Sequence, residues 1–151
     1  MKRTINILLL LTTLLSFSSC SQEDDIEEIF VGRTWYMTGA TINGMRLNSE
    51  IKNFYTEAGE GAYYISFSAG TFRGVLSSGV TFSGTWEADG KKQSIKMDIT
   101  NKPNTSSTFD KQIYGIISAL SSYSSGADFL HLSKDGNNTV YLSSSRSKVY
   151  N

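Results

Sequence analysis

Cysteine, proline and histidine each occur once in this chain of 151 residues. With Cys20 alone, no internal disulfide can form, and the fold must be held by its core. With His131 as the lone imidazole, no cluster of three or four Cys, His or carboxylate ligands converges in the sequence, so we expect no metal. Basic and acidic residues balance at 14 each, without a basic stretch interleaved with aromatics, so nucleic acid is not an expected partner. The apolar run Ile5–Leu15 is shorter than the roughly 20 residues a membrane-crossing helix needs. The serines are abundant, yet none lies in a nucleophile-elbow glycine pattern. The glycines show no phosphate-binding spacing. We therefore expect no enzyme, no catalytic residue and no cofactor. Asp135-Gly136-Asn137-Asn138 reads as a turn rather than a calcium loop. His131, between Leu130 and Leu132, should face solvent from a strand.

What is present begins with an address. Lys2 and Arg3 precede the apolar run, and Ser18 and Ser19 precede Cys20, which is the layout of a secretory signal peptide over residues 1–19. Phe17-Ser18-Ser19-Cys20 resembles a bacterial lipobox, with Phe17 where leucine is commoner. The resemblance implies that Cys20 becomes the acylated, palmitate-bearing N-terminus and anchors the protein to the membrane. One acyl chain anchors marginally and two or more anchor stably. Residues 20–29 read as an acidic tether. Ser21-Gln22-Glu23-Asp24-Asp25 also resembles the export signal of surface lipoproteins in Bacteroidetes. That resemblance implies an outer-membrane lipoprotein exposed at the cell surface. The solvated-linker reading stands beside it.

The mature chain would have 132 residues, enough for one domain, with 12 basic and 14 acidic residues and a net charge of −2. Eight Tyr, eight Phe and thirteen Gly point to a mainly β fold with many turns. The domain should run over residues 30–145, with a fraying tail at 146–151. Trp35 and Met37 alternate with Tyr36 and Thr38 in a first strand. Asn43-Gly44 is a hairpin dipeptide, since both residues tolerate positive φ. Residues 48–58 carry a helical spacing between Asn48 or Ser49 and Gly59. Residues 63–99 then alternate as an antiparallel meander, with Tyr63, Ile65, Phe67, Phe82, Trp86, Ile95 and Met97 facing inward. Ser107 can cap a helix over residues 108–123, whose stripe is Phe109, Ile113, Ile116, Ile117, Leu120 and Tyr123. Leu130, Leu132, Val140 and Leu142 complete a last hairpin.

Such a meander would leave exposed edges unless it closes into a small barrel. Phe82-Ser83-Gly84-Thr85-Trp86, the helix from Phe109 and the strands around Leu130-His131-Leu132 and Val140-Tyr141-Leu142 resemble a META-domain barrel. Gly32 to Trp35 resembles both META domains and lipocalin-like barrels of Bacteroidetes. META domains often carry a Cys-Asn pair in the central strand. Val80-Thr81 offers neither residue, so no role tied to that pair carries over. Two non-enzymatic functions follow. In one, Trp35, Met37, Phe67, Phe82, Trp86 and Met97 line a cavity for a small apolar ligand, or else simply fill the core. In the other, the outward tyrosines Tyr36, Tyr64 and Tyr141 engage an envelope protein or glycan.

Overall fold

The computed structural model describes residues 24–47, 62–77 and 79–146. The signal segment, Cys20, Ser21, Gln22 and Glu23, the helix expected over 48–58 and the tail beyond Arg146 lie outside the described residues. Nine antiparallel strands form one sheet: β1 Thr34–Ile42, β2 Met45–Leu47, β3 Tyr64–Ser68, β4 Thr71–Val75, β5 Thr81–Asp89, β6 Ser94–Asn101, β7 Ser122–Ser125, β8 Phe129–Asp135 and β9 Asn138–Ser143. Among the described residues two helices accompany them, α1 at Ile26–Phe30 and α2 at Thr108–Ile117.

The mainly β barrel expected from the alternation is the fold observed. Consecutive strands pair from β3 to β9, and β9 returns to β1 through Tyr36↔Ser143, Met37↔Leu142 and Ala40↔Val140. That last pairing closes the ring and leaves β1 paired on both sides. Asn43 and Gly44 both have positive φ, at 52° and 80°, as the turn between β1 and β2 requires. The burial pattern of β1 is a strict alternation from Thr34 to Gly39, with Trp35 and Met37 inside. A register shift between Met37 and Gly39 re-aims the strand where it meets β9.

Glycines let the walls approach. A Cβ on Gly74 would fall within the ring of Phe82, and one on Gly84 would meet the carbonyl of Asp98. At both positions the missing side chain is filled by a neighbour, so an added methyl overpacks the wall.

The helices stop opposite ends of the barrel. Phe30 of α1 lies against Phe67, Trp86 and Tyr123, at centroid separations of 5.1, 4.9 and 5.2 Å. Trp35 fixes the helix by donating its indole N–H to the carbonyl of Ile29 at 3.2 Å. At the other end, α2 buries Phe109, Ile113, Ile116 and Ile117. Phe109 meets Tyr63, and Tyr114 meets Phe82, both edge to face.

Three boundaries differ from the sequence reading. The acidic segment is already helical from Ile26, with Asp25 as N-cap accepting from Glu28 N at 3.1 Å, so the folded part starts before residue 30. The helix expected to reach residue 123 ends at Ile117, and Tyr123 lies in β7 opposite Leu132. Tyr123 falls at helical spacing by coincidence; the small serines around it make a narrow strand whose ladder with β8 outweighs their weak β propensity. Arg146, assigned to the tail, belongs to the fold and stacks on Tyr36.

Candidate functional site

Of the six residues expected to line a cavity, five are sealed in the core: Trp35, Met37, Phe67, Phe82 and Met97 are at most 4% exposed. Trp86 is half-buried at the α1 end, with its indole N–H shared between the carbonyls of Ser68 and Thr71 at 2.8 and 3.0 Å. All six belong to or pack against one continuous apolar cluster. Filling of this kind stabilises a barrel of this size.

Two acids of the expected export motif are engaged by the fold. Asp25 caps α1, and Asp24 accepts a hydrogen bond from Gln93 Nε2 at 3.1 Å. Among the described residues, no three His, Cys, Asp or Glu side chains gather where they would hold a metal ion, and no helix is long and apolar enough to cross a membrane.

The structure contains two polar arrangements, and alternation alone disclosed only part of one. The first is centred on Asp110, which is 0% exposed. Its carboxylate accepts from the hydroxyls of Tyr63, Ser77 and Thr105 at 2.7, 2.6 and 2.8 Å. Its own N–H donates to the capping Ser107 hydroxyl at 3.2 Å. Asp110 lies in the first turn of α2, where the positive end of the helix dipole favours a carboxylate. The larger effect is a clamp: three hydroxyls from separate segments converge on one carboxylate. Tyr63, held at φ 52°, is thereby tied across the barrel end to α2.

The second arrangement is the outer wall formed by β3, β1, β9 and β8. The three tyrosines expected to face outward do share it. Tyr64 and Tyr36 are cross-strand partners, with ring centroids 6.2 Å apart. Tyr36 pairs with Ser143, and Ser143 with Phe129, so Tyr64, Tyr36, Ser143 and Phe129 form one row across four strands. At the usual strand spacing of about 4.8 Å, such a row is roughly 14 Å long. Two residues further along β9, Tyr141 faces His131, edge to face at 4.8 Å. His131 lies 4.9 Å from Phe129.

Two guanidiniums cover this wall. Arg146 lies 4.6 Å above the ring of Tyr36, and Arg46 lies 5.0 Å above that of Tyr141. Thr41 fixes the Tyr141 hydroxyl through a 2.9 Å hydrogen bond. Thr38, Arg46, Asp128, Phe129, His131, Tyr141 and Ser143 line a shallow groove of about 260 Å³. His131 is half-buried in it. Burial, and then the nearby Arg46, hold its pKa below the usual 6.5, which favours the neutral ring. The outward phase of the tyrosines was readable from alternation. Their grouping with Phe129, His131 and the two arginines depends on register between distant strands, for which the sequence carries no local signal.

The fold has a precedent among solved structures. The chain is similar to a DUF4847 family protein from Bacteroides vulgatus ATCC 8482, with 20% identity and a TM-score of 0.64, over 80% of this chain and 98% of that one. At this identity the likeness concerns the fold. No curated protein matches the chain. The family described as Domain of unknown function (DUF4847) matches residues 21–145, and the chain belongs to that family.

Proposed function

We propose that the protein is a non-enzymatic lipoprotein of the outer membrane, anchored by acyl chains on Cys20, that recognises a glycan with the outer wall of its barrel. The tether rests on the signal-like segment and lipobox-like residues of the sequence. The recognition reading rests on one observation: Tyr64 and Tyr36 pair on the outer face of one wall, and Phe129, beyond the buried Ser143, groups there with His131 and Tyr141, all of them at least partly exposed. Flat aromatic faces pack against the C–H face of a pyranose ring, and tyrosine keeps a polar edge for its hydroxyls. A filled interior supports the wall over the cavity, because an apolar guest would have to displace Trp35, Met37 or Phe82 from contacts they already make. The barrel resemblance contributes shape and no activity.

Two experiments test the halves of this reading. Cys20→Ala should abolish palmitate labelling and release the protein from membranes; persistence of both would remove the tether. An array of envelope and capsular polysaccharides, probed with wild type and with a Tyr36→Ala, Tyr141→Ala double variant, tests the wall. Saccharide binding that disappears in the double variant supports it. Binding that the double variant retains would place recognition elsewhere.

A further inference from the structure

The acidic residues after Cys20 would space the barrel from a membrane if they were free, but the fold takes most of them up. Asp24 accepts from Gln93 Nε2 at 3.1 Å, and its main chain covers the buried Gly90, where a Cβ would meet the Asp24 carbonyl. Asp25 caps α1, and the carbonyl of Ile29 accepts the Trp35 indole N–H. The chain therefore joins the barrel at the tip of the β5–β6 hairpin, residues 89–93. Cys20 stands four residues before Asp24, so the two Cα atoms are at most about 14 Å apart.

That leash is shorter than the barrel. β1, nine residues from Thr34 to Ile42, runs roughly 25 Å from the α1 end to the turn at Asn43-Gly44. The β8–β9 turn lies at that far end, where the Gly44 N–H donates to the carbonyl of Asn137 at 2.9 Å. An anchor at Cys20 keeps the hairpin tip near the bilayer and places no such limit on the far turn.

We propose that the tip of the β5–β6 hairpin is the membrane-facing surface of the protein, held at the lipid headgroups by the short leash from Cys20, with the barrel standing away from the bilayer. This rests on the anchored-lipoprotein reading above. The tip suits headgroup phosphates. Asp89 Oδ1 accepts from the main-chain N–H groups of Lys91 and Lys92 at 3.1 and 3.0 Å, which fixes the turn, and both lysines are exposed. Lys91 forms no ion pair among the described residues, and Lys92, 3.3 Å from Asp89, keeps 78% of its side chain exposed. Lysines close to an anionic leaflet are attracted to it. The acids of α1 are set apart from the tip: Asp25 and Glu28 line a depression with Arg33 beside residues 125–127. Glu27 is exposed on α1 and disfavours laying that helix flat on anionic lipid. Tyr36 is two residues into β1 and Phe129 opens β8, so a saccharide bound beside them is read close to the membrane.

The test uses the acylated protein, reconstituted into vesicles of phosphatidylethanolamine, phosphatidylglycerol and a nickel-chelating lipid. Nitroxide labels are placed singly on Lys91→Cys, on Lys92→Cys as a second reporter of the tip, and on Gly136→Cys at the far turn, where a Cβ meets nothing. Nickel at the headgroups should relax the labels at 91 and 92 several times faster than the label at 136. Inserting about 20 Gly and Ser residues between Gln22 and Glu23 adds roughly 25 Å of flexible reach and should bring the rates together. Equal rates in the uninserted protein, or a faster rate at 136, would overturn the orientation while leaving the anchor intact. A contrast that survives the insertion would overturn the leash as its cause. A protein that does not float with the vesicles would overturn the anchor, and this inference with it.

Discussion

Tyr63 and Tyr36 lie one strand apart, and each is matched with a charged group, yet the two arrangements work in opposite ways. Tyr63 donates its hydroxyl to Asp110, which is sealed from solvent and takes two further hydroxyls, from Ser77 and Thr105. Its hydrogen-bonding capacity is spent within the fold. Tyr36 has no carboxylate partner; its ring lies on the outer face of the barrel beside Tyr64, with the Arg146 guanidinium 4.6 Å above it. A buried polar cluster whose members satisfy one another specifies structure. A half-exposed pair held by ring stacking contributes less to structure and stays within reach of solvent. Chemical similarity therefore misleads, and burial separates scaffold from surface.

The sharpest way to break this contrast is at Asp110. Asp110→Ala removes the acceptor for three hydroxyls, each costing roughly 1–3 kcal/mol when left unpaired under burial, less the relief of no longer burying a carboxylate. We expect a loss of about 3 kcal/mol in urea unfolding, with saccharide binding retained by the folded fraction. Asp110→Asn keeps the shape and part of the acceptor and should cost less. A variant that lost binding at unchanged stability would make Asp110 part of recognition and dissolve the distinction.

Gly74→Ala probes the scaffold side with an apolar change. The new methyl must displace the Phe82 ring, and overpacking of this kind costs about 1–3 kcal/mol. Denaturation midpoints should fall while the wall keeps its ligand affinity, because Gly74 pairs with the inward Ile65 of β3 and the tyrosines face the other side of the sheet. On the wall the signs reverse. Tyr36→Ala should cost about 1 kcal/mol, since the half-buried ring touches only Tyr64 and Arg146 among the ring contacts seen, and should remove saccharide binding. Unchanged affinity there would move the ligand off this row.

The smallest expected effect is a pH dependence from His131. Its folded pKa lies below 6.5 through burial first and Arg46 second. The unfolded chain therefore takes up this proton before the folded one, and the stability contribution present above pH 6.5 declines as pH falls through 6.5 toward the folded pKa. Comparing wild type with His131→Gln between pH 7 and pH 5 isolates it: wild type should lose slightly more stability across that window. The reverse slope would mean that the folded protein holds the protonated ring.

How far the sequence could be read follows the same division. The alternation of Trp35, Met37, Phe67 and Phe82 against Tyr36 and Tyr64 is local, and the barrel's inside and outside were visible from it. Asn43-Gly44 and the Ser107 cap were visible for the same reason, because each acts within a few residues. Asp110 meeting Tyr63, 47 positions away, was not, nor was Arg146 folding onto Tyr36. Both depend on closure of the ring, which no local spacing encodes. The helix overran to Tyr123 because a strand residue happened to continue the 3.6-residue stripe; only the β7–β8 ladder shows which period applies.

Ligands should meet the outer wall and leave the interior closed. Chemical-shift mapping by NMR, with a saccharide selected from the polysaccharide array and separately with a medium-chain fatty acid, addresses both surfaces in one protein. The indole N–H of Trp35, hydrogen-bonded to Ile29, reports the interior, and the ring signals of Tyr36, Tyr64, Tyr141 and His131 report the wall. The expected result is saturable shifts on the wall with the saccharide and a still Trp35 with either compound. Saturable shifts at Trp35, Met37 and Met97 with the fatty acid, and none on the wall with the saccharide, would contradict it and make the barrel a carrier.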